Sequence, residues 1–193
     1  IEPAFQAVEA AVRIRHREGT TFTEKALVAA EAVGFKRKHG MNDGALCGFM
    51  GYNDMNYENQ ERRNTYTAFL RDVADRDTLT IHTKSLVHRI LFEGDRAVGV
   101  EVEIKGKKRI IKANKEVILC AGALETPKLL MLSGVGPADH LKSLGIPVVK
   151  DIQSIGENLH DHPNVAMFYQ GRKPVDFGYP QMYGFQRFNP KLP

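Results

Sequence analysis

The chain has 193 residues, 42% of them hydrophobic and 26% charged, a balance that suits a buried globular core and excludes a disordered or fibrous protein. Its 27 basic and 23 acidic residues leave a net charge of +4, too mild an excess to imply a polyanionic partner. No apolar run approaches the roughly 18 to 20 residues that span a bilayer, and the opening stretch IEPAFQAVEA has neither the charged start nor the apolar block of a signal peptide.

Pro3, followed by Phe5, Val8 and Val12 at three- and four-residue spacing, predicts an amphipathic helix to about Arg17, ended by Gly19. Thr23 is placed to cap a second helix through Val33, with Leu27, Ala30 and Val33 on one face and Gly34 as its stop. From Gly40 to Asn64 the chain is rich in Gly, Asn and Asp and reads as a long ordered loop, with a turn at Asn42-Asp43-Gly44. Asn64 or Thr65 then caps a helix to about Ala74 that buries Phe69, Leu70 and Val73.

Four short, β-branched stretches follow: Leu79–Thr83, Leu86–Phe92, Ala97–Ile104 and Arg109–Lys112. Hairpin turns at Glu93-Gly94-Asp95 and Lys105-Gly106-Lys107 make the later ones a β-meander. The lysines and arginine between Lys105 and Lys115 crowd one stretch, but no aromatic side chains interleave to stack on bases. They read as a solvated turn, and no nucleic-acid partner is expected. Cys47 and Cys120 are far apart in sequence and form no C-x-x-C. Both are expected to be reduced, Cys120 at the end of a buried strand.

The stretch Lys115–Gly136 reads KEVILCAGALETPKLLMLSGVG. Val117, Ile118 and Leu119 predict a compact, buried strand that feeds a helix carrying Leu129, Leu130 and Leu132. At the joint, Ala121 and Gly122 leave no bulk beside the backbone. Either a second chain segment or a flat, phosphate-bearing ligand can come close there. Ser133 lies in Leu-Ser-Gly-Val-Gly rather than in the Gly-x-Ser-x-Gly turn that exposes a nucleophile, so it reads as a helix-ending serine. A short helix is predicted over Pro137–Leu144, stopped by Gly145, with Ile146–Val149 extended after it. His160 and His162 stand two apart, a spacing that turns both imidazoles to one ion only through a local bend. A catalytic zinc site usually has three protein ligands, with His140 the nearest candidate for a third, so no metal is expected. The tail beyond Pro163 shows loop and edge-strand signals without a clear period.

The segment Gly122–Gly136, with Thr126-Pro127, an apolar pair and Ser133-Gly134-Val135-Gly136, resembles the second signature of the glucose-methanol-choline (GMC) family of flavin oxidoreductases. Arg62–Leu70 is similar to the family's Gly-x-Arg-x-Ser-x-x-x-Ala-Phe-Leu stretch, with Asn64 and Thr65 where a Ser is usual and Glu61 where Gly is common. Ile155–His162 resembles its Val-Gly-x-Asn-Leu-x-Asp-His segment. The resemblance covers Gly40 to Pro163. It implies an α/β (α+β) fold: part of a doubly wound, FAD-binding domain with a β-meander over residues 1–160, and the start of a substrate-binding domain over 161–193. It implies FAD as cofactor, with Val87, Ala121 and Gly122 as cofactor-binding residues, Val87 through main-chain atoms toward the adenine. The substrate implied is a small alcohol, sugar or choline-like donor. Asn158 and His162 are expected to be structural, with Asp161 orienting the His162 ring. No residue of the chain is expected to be catalytic, because neither a Gly-x-Gly-x-x-Gly turn after a strand nor the family's late His-Pro-x-Gly segment is present. The expectation is an internal piece of such an enzyme. A non-catalytic binding or interaction module that keeps the meander as a scaffold is the other reading.

Overall fold

The computed structural model describes every residue except 17–18, 41–42, 46, 60, 177–181, 190 and 192–193. The chain is mixed α/β and divides into two compact units, one formed by Ile1–Leu79 with Met167–Pro193 and the other by Thr80–Ala166.

In the first unit, α1 spans Glu2–Val12 with a proline in its first turn. It stops at Arg13, which turns left-handed at φ 56° and donates its amide to the Glu9 carbonyl. The chain then runs into strand β1, Ile14–His16, rather than continuing as helix toward Arg17. Phe5 and Val8 stay 63% and 51% exposed, while Val12 at the end of the same face is half-buried. Helix α2, Thr21–Ala32, begins one turn before the expected cap. Thr20, extended at φ −97°, caps it, and Thr23 is the third helical residue. The two exchange bonds: Thr20 Oγ1 accepts from the Thr23 amide and Thr23 Oγ1 from the Thr20 amide, each at 3.3 Å. Either threonine fits the cap preference, but three residues after Thr20 stands Thr23, whose hydroxyl can return the bond, whereas three after Thr23 stands Ala26, which cannot. Leu27 and Ala30 are buried as expected, whereas Val33 lies past the helix end and is exposed.

The stretch read as a long loop holds three strands, β3 Phe49–Tyr52, β4 Asp54–Glu58 and β5 Glu61–Arg62. Strand β3 pairs in parallel with β2, Lys36–Lys38, and antiparallel with β11, Met182–Phe185. Strand β4 lies between β1 and β5. Gly51, Asp54 and Asn56 stand inside β3 and β4 although such residues are unfavourable in strands, and main-chain pairing to the neighbouring strands holds them there. The expected Asn42-Asp43-Gly44 turn includes Asn42, which lies outside the described residues. Thr65 leads into the next element without a side-chain cap bond, and Asn64 before it supplies one, its Oδ1 accepting from the Thr67 amide at 3.0 Å. That element is a widened π turn over Tyr66–Leu70 continued by a 3-10 turn over Arg71–Val73. It leaves Phe69 and Leu70 49% and 39% exposed rather than buried.

The second unit contains the meander. Strands β6 Ser85–Glu93, β7 Arg96–Ile104 and β8 Lys107–Lys112 pair antiparallel in the order β6-β7-β8. Lys105 and Gly106 both take positive φ, the conformation that matches the right-handed twist of the strands they join. Leu79–Thr83, expected as a fourth strand, is unpaired. Helix α3, Gly122–Leu132, ends at Ser133 as expected. Next come β9 Val135–Gly136, α4 Ala138–Ser143 and β10 Lys150–Asp151, with β9 and β10 parallel. Ile90, Val102, Val135, Ala138 and Leu141 form the core.

Val117–Leu119 is the largest departure. It forms no strand, and Ile118 is 73% exposed. An apolar run becomes a strand only with a neighbour to share its amides and carbonyls, and no described strand lies beside it. Cys120 is therefore exposed rather than buried, and both it and Cys47 are free thiols.

Candidate functional site

The site is built where the unpaired Val117–Cys120 segment meets α3. Ala121 flanks the helix start with no side-chain cap, and its amide donates to Thr126 Oγ1 at 3.2 Å. Gly122 follows at φ +88°, and a Cβ built on it would find no atom within 4 Å. The left-handed turn explains why this position is glycine, and the open space beside it is what a close-lying ligand needs. The helix start also carries the positive end of the backbone dipole. Glu125 in the first turn opposes that field, but Lys128 pairs with it at 3.0 Å.

Beyond Gly122 a cleft of about 440 Å³ opens between Ala123, Leu124, Pro127 and Met131 of α3 and residues 156–160. Asn158 holds this segment in a left-handed turn at φ 58°, and the His160 ring nitrogen Nδ1 lies 2.8 Å from the Asn158 carbonyl oxygen. Asp161 accepts from the main-chain amide of His162 at 2.7 Å. The carboxylate serves the backbone at that point, where the sequence suggested an orienting bond to the His162 ring.

Val87 lies on β6 opposite Val102, half-buried, at the bulge that shifts register between Val87 and Arg89. Among the described strands β6 is one of the two edges of its sheet, the other being β8. Three residues along, the Ile90 amide turns away from the ladder and donates to Ser133 Oγ at 2.8 Å. Val87, Ala121 and Gly122 thus belong to one compact unit, on a strand and a helix joined by that bond. Thr126 and the Ser133 bridge escaped the sequence reading. Thr126 stands in the Thr-Pro pair, a visible signal for a local amide acceptor, whereas the partner of Ser133 is 43 residues away.

In the first unit, Arg63 of the Arg62–Leu70 stretch is structural. It donates to the Ala11 carbonyl and to Glu58, each at 2.8 Å, tying the end of α1 to β4.

Comparison with known proteins places the chain. A family model described as GMC oxidoreductase matches residues 1–164. Human mitochondrial choline dehydrogenase is 41% identical over 149 residues, which are 77% of this chain and 25% of that protein. Pyridoxine 4-oxidase from Mesorbium loti superposes with a TM-score of 0.65 at 32% identity, covering 73% of this chain and 28% of the oxidase. An FAD-dependent oxidoreductase from Chaetomium thermophilum superposes with a TM-score of 0.64 at 30% identity, covering 70% of this chain and 24% of that one. The chain thus spans about a quarter of the length of the curated relatives it matches. With most of its length inside the family match, the chain belongs to the GMC oxidoreductase family.

Proposed function

We propose that this chain is part of a flavoprotein that oxidises the CH–OH group of an alcohol, sugar or choline-like donor, with FAD as its cofactor. The observation that carries the reading is the family match over residues 1–164. The residues present fit the cofactor: Gly122 is left-handed with open space on its Cβ side, and the helix start behind it has no capping side chain. Anionic groups settle at such a helix start because unpaired amides and the helix dipole both face them. When bound, FAD supplies the hydride acceptor.

Val87, Ala121 and Gly122 are assigned to hold the cofactor. The Ala121 amide is committed to Thr126, so Ala121 contributes its carbonyl or methyl face, and Gly122 contributes close backbone approach. Val87 meets the adenine through its main chain, which a half-buried outer strand leaves within reach. Residues 1–160 contribute to the FAD-binding domain and 161–193 begin the substrate-binding domain, a division supported by the family match ending at residue 164. No catalytic residue is assigned among the 193.

The test is to purify the protein in its full reading frame and add choline, a sugar or a primary alcohol without oxygen. Bleaching of the flavin absorbance by one donor is the expected result. A colourless protein that takes up no added FAD overturns the reading.

A further inference from the structure

We infer that Ser133 is a positioning residue of the cofactor site, its hydroxyl fixing α3, and hence Gly122, against the strand that carries Val87. The inference rests on the reading that Val87, Ala121 and Gly122 hold FAD.

Ser133 is 8% exposed, and its hydroxyl is used twice. It donates to the Leu129 carbonyl at 2.6 Å and accepts from the Ile90 amide at 2.8 Å. A hydroxyl has one proton to give, so the bond to Leu129 directs its lone pairs to Ile90. The bond to Leu129 stays within the helix end, where the Ser133 amide already donates to the Leu129 and Leu130 carbonyls. The second bond satisfies an amide on the outer edge of β6, where a buried N–H without a partner carries a full desolvation cost. The joint is also held from its other side. The Gly134 carbonyl accepts from the Val149 and Lys150 amides at 2.8 and 3.1 Å. Gly134 itself sits at φ +87°, where a Cβ would run into the Pro147 carbonyl and the Val149 side chain.

Helix α3 has 11 residues, with Pro127 among them, and so spans about 16 Å between Gly122 and its C-terminal end. A displacement at Ser133 is carried to Gly122 at its far end. Val87 precedes Ile90 by three residues on the strand that Ser133 grips. One hydroxyl thereby sets the spacing between the two elements that touch the adenine and phosphate half of the cofactor.

The experiment compares Ser133→Ala, Ser133→Thr and Leu141→Ala in the flavin-binding protein. Leu141, fully buried in α4, supplies a control destabilised without touching the Ser133 bonds. Binding of FAD and of ADP is measured together with thermal stability and the visible spectrum of bound flavin. Ser133→Ala should weaken FAD and ADP about tenfold, the scale of one buried amide left unpaired, with the flavin spectrum unchanged. Ser133→Thr should restore affinity, and Leu141→Ala should lower stability without that loss. If Ser133→Ala binds both ligands within about twofold of the wild type, or no worse than Leu141→Ala, the inference is overturned. Should Ser133→Ala not fold, Ser133→Cys, a weaker acceptor of similar shape, is read in the same way. A wild-type protein that binds neither FAD nor ADP would instead overturn the flavin reading.

Discussion

Gly122 concentrates two demands at one residue, a left-handed backbone and an empty flank. They separate by substitution. Gly122→Ala and Gly122→Val both force an L side chain into the left-handed region, at about 1–2 kcal/mol, and neither meets protein atoms at Cβ. Loss of FAD from the Val variant beyond what its extra instability explains therefore reports the ligand. The expected order of flavin content is wild type, then Ala, then Val. Equal flavin content in all three, at matched protein stability, would remove Gly122 from the site. At this scale the sequence is most legible where chemistry is local. The small pair Ala121-Gly122 and the terminal role of Ser133 follow from side-chain size and helix-end geometry. Thr20 shows the limit: its reciprocal partner three residues on is Thr23, a hydroxyl rather than the Glu or Gln that usually marks such a pair. The second bond of Ser133 was illegible because nothing near residue 133 encodes its distance to Ile90.

Among the elements, α2 has an unusual partner at its start. Asp176 accepts from the Thr21 and Phe22 amides, each at 3.1 Å, so a carboxylate from the end of the chain sits on the positive end of the helix. Its burial raises the carboxyl pKa, but bonds from Phe22, Thr20 and Thr21 outweigh that and hold it below the ordinary 3.8. A pKa lowered by folding means stability that is present at neutral pH and is lost as pH falls below 3.8 toward the folded value. Asp176→Ala should therefore unfold at lower urea than the wild type at neutral pH, and the gap should close in acid. A gap that persists unchanged in acid would mean that the charge is not what binds the tail. The same scale shows which elements a sequence reveals. The meander and α3 were readable because β-branched runs, two glycine turns and a leucine-rich helix all signal within a few residues. Strands β3 and β4 were not, since β1, β2 and β11, which pair with them, lie outside the segment, and β5, paired among the described strands with β4 alone, is only two residues long. Val117–Leu119 failed in the opposite sense: its composition is that of a buried strand, but no described strand pairs with it.

For the whole molecule, the proposed function predicts that the 193-residue chain will not oxidise alcohols by itself. It contains neither the glycine-rich turn for the ADP moiety nor a residue assigned as base, and lost positioning of donor and cofactor costs several kcal/mol of barrier. With FAD, a panel of primary alcohols and sugars, and a dye acceptor, turnover should not exceed that of free flavin. Faster turnover would reveal a complete site within these residues. The division into two units has a further effect, on the order of assembly. Strand β3 is completed by β11, and α2 is anchored by Asp176, so the first unit joins residues separated by more than a hundred positions. The second unit is contiguous in sequence, and its hairpins close over a few residues. Closing a long loop costs more chain entropy than closing a short one, and non-local topologies form more slowly. Amides of β6 and β7 should accordingly become protected from pulsed hydrogen exchange before those of β3. Simultaneous protection of both sets would show that the units fold as one. On a ribosome the difference would be larger still: the meander can close as soon as it emerges, while β3 waits for a partner synthesised more than a hundred residues later.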